Sequence, residues 1–145
     1  MITLVVTALV SLSSGVTLDS DVADLAGHIE YWEDVDATRT IEEVRRDSFR
    51  SNFSASPDAV PNFGFTNSAF WFRIPVDNRS LISNWVVNVE YPLLDSVTLY
   101  VEKPGVDEVT SSMGGDRLPF DVRHRPHRTI NFGLNFAPQT SATLW

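Results

Sequence analysis

The chain has 145 residues, a formal net charge of −8, no cysteine and 43% hydrophobic residues. That is the length of about one domain of roughly 100–150 residues, long enough to bury a core without a metal or disulfide. The missing cysteines exclude a disulfide framework, a thiolate zinc site and a cysteine nucleophile; the acidic pI near 4.7 argues against nucleic acid, and nine Phe, four Trp and three Tyr exclude disorder.

The amino-terminal run Ile2 to Val10 is apolar and is followed by the small residues Ser11 to Gly15. It falls well short of the ~20 residues that span a bilayer but matches the apolar region of a secretory signal. Residues 1–15 are therefore expected to be a signal peptide. No Lys or Arg precedes Arg39, so the basic start of such a signal is missing, and a buried first strand is the competing reading.

A short strand is expected around Ile29 to Glu33. Thr40 and Glu43 have the spacing of a capping box, which predicts one helix over Thr40–Phe49 with Ile41, Val44 and Phe49 inward and Arg45, Arg46 and Arg50 outward. Pro57 and Pro61 mark Ser51 to Asn62 as a loop. The period then changes to two. Apolar residues alternate over Phe70–Val76, Trp85–Tyr91, Val97–Glu102 and Ile130–Phe136, and Thr140–Trp145 begins a further strand in which the sequence stops. Pro, Gly and Asn punctuate the gaps. Short alternating strands with one short helix predict a mainly β fold, an antiparallel β-sandwich. Phe70, Phe72, Trp85, Tyr91, Phe132 and Phe136 have the parity of a core.

Little in the sequence points to catalysis. No nucleophile elbow is present. His124, His127 and Asp121 have a spacing that metal ligands use, but the Arg residues around them disfavour a cation, so neither a metal nor a cofactor is expected. Gly114-Gly115-Asp116 resembles part of a cyclase signature but lacks its second acidic residue, and reads as a turn. Asp95, Asp116 and Arg123 are expected to fix turns and loops. The candidate ligand-binding set is Trp71, Arg73, Asn88, Glu90, Tyr100, Asn131 and Asn135, all at solvent-side parity on their strands. Rings beside amide, carboxylate and guanidinium groups suit a sugar, whose C–H face packs on a ring while its hydroxyls take directional hydrogen bonds. The competing reading buries Trp71 beneath the helix and pairs Arg73 with Glu90.

Several segments occur together and in order: Gly27-His28-Ile29-Glu30-Tyr31, Thr40-Ile41-Glu42-Glu43-Val44, Asn62-Phe63-Gly64-Phe65-Thr66, Ala69-Phe70-Trp71-Phe72-Arg73, Tyr91-Pro92-Leu93-Leu94-Asp95, and Gly115-Asp116 with Pro119-Phe120 and Arg123. Over residues 25–145 this combination resembles the type 2 extracellular sensor domain of bacterial seven-transmembrane receptors with diverse intracellular signalling modules. The resemblance implies a jelly-roll β-sandwich similar to carbohydrate-binding modules, on the periplasmic face of the inner membrane. It also implies membrane helices and an output module such as a diguanylate cyclase or histidine kinase downstream. Since the sequence stops at Trp145, the last strand reads as truncated and the chain as a fragment. The function expected is non-catalytic sensing of a small molecule, with a saccharide as the leading class. The alternative is a protein–protein interaction module or homodimer, because aromatic and Arg residues also anchor interfaces.

Overall fold

The computed structural model describes residues 15–56, 61–117, 119 and 128–145. The predicted signal peptide lies almost wholly outside the described residues, as do Phe120, Asp121, Arg123, His124 and His127. The strands are β1 (Val16–Leu18), β2 (Glu30–Asp34), β3 (Ser54–Ala55), β4 (Ala69–Asn78), β5 (Asn84–Val89), β6 (Val97–Glu102), β7 (Thr110–Gly114), β8 (Ile130–Asn135) and β9 (Thr140–Leu144). Helix α1 (Ile41–Val44) and a 3-10 helix (Asp47–Asn52) lie between β2 and β3.

The longest strand organises the rest. One edge of β4 is shared by two partners: its first half, Ala69–Arg73, pairs antiparallel with β2, and Val76–Asn78 pair in parallel with β1. Its other edge, Ile74–Asn78, pairs antiparallel with β9. The large sheet runs β3-β2-β4-β9-β6-β7, and β5 and β8 form a separate antiparallel pair. The fold is thus mainly antiparallel β, as predicted, with the β1–β4 contact a parallel exception.

Alternation along the central strands of the large sheet divides their side chains between two cores. The main core joins the two sheets: Val16, Leu18, Val76, Leu99, Val101, Ala142 and Leu144 from the large sheet meet Ile130, Phe132, Leu134 and Phe136 from β8 and its end. Trp85, Val87 and Val89 of β5 pack against it half-buried. A smaller core lies on the opposite face of the large sheet. There Ile41, Val44 and Trp145 are buried against Trp32, Phe49, Phe53, Trp71, Tyr100 and Val109. On the main-core face, the first half of β4 carries a half-buried aromatic group. Phe63 stacks on Phe70 with ring centroids 3.8 Å apart, and Tyr31 lies 5.1 Å from Phe63.

Several expectations change. The single helix predicted over Thr40–Phe49 is one α-helical turn followed by the 3-10 helix, because Arg46 takes an extended backbone (ψ 141°) between them. Its start follows the predicted spacing: the Glu43 carboxylate accepts the Thr40 N–H at 3.0 Å. Arg45, placed outward by periodicity, turns back to pair with Glu102 at 3.4 Å and to donate to the Asp107 carbonyl at 3.1 Å. Tyr91 is not in the core but 59% exposed, because β5 ends at Val89 and the parity of the strand no longer applies. Strand β7 has no apolar alternation, since its inward position Gly114 is filled from across the core: a Cβ there would stand 2.7 Å from Ile130 Cγ2.

Buried polar groups tie the connections to this frame. Asn78, with no exposed surface, donates from Nδ2 to the carbonyls of Ile82 (2.8 Å), Phe136 (2.9 Å) and Ala137 (3.2 Å). Its Oδ1 accepts from Ser80 N–H at 3.1 Å and Ser80 Oγ at 2.8 Å. One side chain therefore supplies partners to both the β4–β5 and β8–β9 connections, which could not otherwise be buried. Asp34, 4% exposed, does the same for the turn before α1 by accepting the Arg39 N–H at 2.8 Å.

Candidate functional site

The seven candidate ligand residues do not form one surface. Trp71, Arg73 and Tyr100 lie on the face of the large sheet that carries α1, whereas Asn88, Asn131 and Asn135 are on the outer side of the β5–β8 pair, across the main core. Strand parity tells which face a side chain takes within its own sheet. It carries no information about which of two sheets a strand joins, and that is why one set in sequence became two in space.

The first group sits in a layer of rings and ion pairs. Trp71 and Tyr100 stack with centroids 5.9 Å apart, and Ile41 and Val44 pack over them from α1. Trp32 meets Phe49 edge-on at 4.8 Å, and Phe53 meets Trp145 at 5.7 Å. Arg73 pairs with Glu30 on the neighbouring strand, not with Glu90, because β2 and not β5 is the partner of this half of β4. The Arg73 guanidinium also lies 6.0 Å from the centre of the Trp145 ring, within cation–π range. Glu102 accepts from Trp145 Nε1 at 2.9 Å and pairs with Arg45. Two donors in this layer, Trp71 Nε1 and Arg73 Nε, are buried without an acceptor among the described residues. Trp71 is thus half-buried in the layer beneath α1, close to the arrangement of the competing reading.

The second group is open. Asn84 faces Asn135 across β5 and β8, Val86 faces Gly133, and Asn88 faces Asn131. All six point away from the core, with Asn84, Val86, Asn88, Gly133 and Asn135 exposed. Asn135 Nδ2 donates to Asn84 Oδ1 at 3.1 Å. At the other end Thr129 Oγ1 donates to Asn88 Oδ1 at 2.7 Å, and Asn131 Nδ2 reaches the Thr129 carbonyl at 3.3 Å. These bonds set the amide planes and use one half of each amide. Between the pairs, Val86 is 44% exposed opposite the bare backbone of Gly133, where nothing lies within 4 Å of a Cβ. The result is a flat apolar floor between two amide pairs about 14 Å apart, four residues along a strand. Glu90 is exposed just beyond the end of β5.

Of the three expected turn residues, Asp95 and Asp116 are described and Arg123 lies outside the described residues. Asp95 pairs with Arg117 at 2.9 Å, and the N–H groups of Asp116 and Arg117 donate to the carbonyls of Leu94 (2.8 Å) and Asp95 (3.2 Å). Gly115 has φ 143°, and a Cβ there would strike Ser96 Cα at 2.8 Å, so only glycine lets the two turns meet. Sequence reasoning missed Asp34 and Asn78 as organising groups. An acidic run hid Asp34, and Asn78 read simply as a strand terminator; a polar residue at core parity was the available signal. Among the described residues no cluster of His, Asp or Glu could hold a metal, and no helix is long and apolar enough to cross a membrane.

This is a mainly β domain of two facing sheets that displays a polar sheet surface. The chain belongs to the 7TMR-DISM extracellular 2 family, whose model matches residues 26–145. It is accordingly an extracellular sensor domain of the kind carried by membrane receptors, and its place is the periplasmic side of the membrane. No curated protein and no solved structure matches it.

Proposed function

We propose that the domain is a non-catalytic, jelly-roll sensor that binds a small polyhydroxylated solute, a saccharide, on the outer face of β5 and β8. The observation that supports this reading is the row Asn84/Asn135, Val86/Gly133, Asn88/Asn131. Each amide has a donor or acceptor still unused by the bonds that orient it, and the floor between them can take the C–H face of a sugar. Glu90 adds a carboxylate acceptor at the same end as Asn88. Binding shifts a receptor only when it favours one arrangement of the domain over another, so the ligand must prefer the signalling form.

Calorimetric titration with mono- and disaccharides and a panel of small acids tests the reading. A saccharide should bind, and the double variant Asn88→Ala/Asn131→Ala should weaken it at least tenfold while leaving the melting temperature unchanged. No heat from any saccharide, or binding indifferent to the double variant, refutes it. A second reading, a docking or dimerisation module, draws on the turn after β5, where Tyr91 and Leu93 are 59% and 66% exposed on a backbone pinned by Asp116 and Arg117. Sedimentation that is independent of concentration, and unchanged in Leu93→Asp, counts against dimerisation.

A further inference from the structure

The two amide pairs on the outer face of β5 and β8 repeat one pattern. In the first pair, Asn135 Nδ2 donates to Asn84 Oδ1, which leaves Asn84 Nδ2 and Asn135 Oδ1 without a partner among the described residues. In the second, Asn88 Oδ1 accepts from Thr129 Oγ1, while Asn131 Nδ2 donates to the carbonyl and hydroxyl of Thr129. That leaves Asn88 Nδ2 and Asn131 Oδ1. In both pairs the unused donor therefore stands on β5 and the unused acceptor on β8. The register, Asn84 opposite Asn135 and Asn88 opposite Asn131, presents the two pairs in the same orientation along nearly the whole of β5.

The spacing of the pairs sets the size of what can use both. They stand four residues apart on each strand, roughly 14 Å, with Val86 and Gly133 midway between them. A pyranose ring built from bonds of ~1.5 Å is about 5 Å from one glycosidic oxygen to the other. A single ring thus reaches one pair, whereas three linked rings, about 15 Å, reach both. Sugar hydroxyls donate and accept, so each end ring can serve the donor on β5 and the acceptor on β8 together. The middle ring then lies over exposed Val86 and the bare backbone of Gly133. An extended chain keeps its rings in line with a straight strand; a coiled chain turns its third ring away. The ends are not equal for a single sugar, because exposed Glu90 adds its carboxylate beside Asn88 alone.

We propose, resting on the saccharide reading of this face, that the ligand is a linear glycan chain of the extended, β-1,4-linked kind. Three consecutive rings lie along β5, the first on Asn88 and Asn131, the second over Val86 and Gly133, and the third on Asn84 and Asn135. A single sugar occupies the Asn88 end. Once that end is bound, the contact at the Asn84 end is intramolecular and multiplies the affinity.

Glucose, N-acetylglucosamine and their β-1,4-linked chains of three and five rings are titrated into the domain by calorimetry, with the α-1,4-linked glucose chains as the coiled control. In a β-1,4-linked series the three-ring chain should bind at least tenfold more tightly than its single sugar, and five rings should add no more than about threefold. Asn84→Ala/Asn135→Ala should return the three-ring chain to the affinity of the single sugar and leave the single sugar itself unchanged. Equal affinity for one and three rings in both β-1,4-linked series overturns the proposal while the saccharide reading stands. A gain with length that survives Asn84→Ala/Asn135→Ala overturns the placement of the third ring. The same gain in the α-1,4-linked series overturns the extended shape. No heat from any sugar or chain overturns the saccharide reading and this one together.

Discussion

Replacing Asn78 with aspartate is the sharpest test of how the connections are held. The substitution keeps shape and the acceptor Oδ1, which serves both Ser80 groups, and removes the amide that donates to Ile82, Phe136 and Ala137. Two N–H groups are lost at a site with no exposed surface. At ~1–3 kcal/mol for each buried partner left unsatisfied, their loss costs about 2–6 kcal/mol. The new carboxylate also faces carbonyl oxygens, so its folded-state pKa must lie above the ~3.9 of an unfolded aspartate. Below that unfolded value both states are protonated and the charge costs nothing; the penalty grows as the pH rises and is complete above the folded-state pKa. Urea unfolding followed by tryptophan fluorescence should therefore show Asn78→Asp weakened by at least ~4 kcal/mol at pH 7, out of a total of ~5–15 kcal/mol for a domain, and by clearly less at pH 4. A loss under ~0.5 kcal/mol at pH 7 would show that water or backbone rearrangement replaces the amide. An equal loss at both pH values would refute the part assigned to charge.

Phe132→Ala, at a side chain 1% exposed in the main core, should cost about 3–5 kcal/mol in the same assay; Phe72→Ala, half-buried in the ring group beside Phe63, should cost distinctly less, and equal values would mean that the two sites are packed alike. Gly115→Ala should destabilise by ~1–3 kcal/mol through collision with the Asp95–Ser96 backbone, and a neutral result would show that the two turns can separate freely. The Thr40 N–H, with Arg39 beside it, holds the Glu43 carboxyl below its ordinary pKa. Its contribution is complete above the unfolded glutamate value and is lost as the pH falls through the depressed folded one. Glu43→Gln should accordingly lower the melting temperature at pH 7 and leave it unchanged at pH 2.5, and the same difference at both would remove the role given to the charge.

The strands and one helix start were legible because their signals are local. Alternation over Phe70–Val76 and Ile130–Phe136 needs only that one face be buried, and the Thr40–Glu43 spacing needs only one turn of backbone. β7 was invisible for a local reason too: Gly fills its inward position 114 because Ile130 and Phe132 reach over to it. The candidate site failed as a set on a non-local matter. Trp71 and Asn88 share a parity, but β4 pairs with β2 and β9 while β5, among the described residues, pairs with β8 alone, so one ends under α1 and the other on an open face. The partner of Arg73 was misread for the same cause, since Glu30 precedes it by 43 residues and only the ladder brings them together. The family resemblance was readable because its segments are distributed along the whole chain and occur in order.

The position of β9 has a mechanical meaning. It lies inside the large sheet, bonded to β4 on one side and to β6 on the other. A pull on Trp145 along the strand axis loads both ladders in shear, so their bonds resist together and must break nearly at once. The same pull on β7, bonded among the described residues to β6 alone, is resisted by a single ladder. Strand β9 is therefore a stiff member, able to carry tension into the sheet that bears both cores without first unravelling.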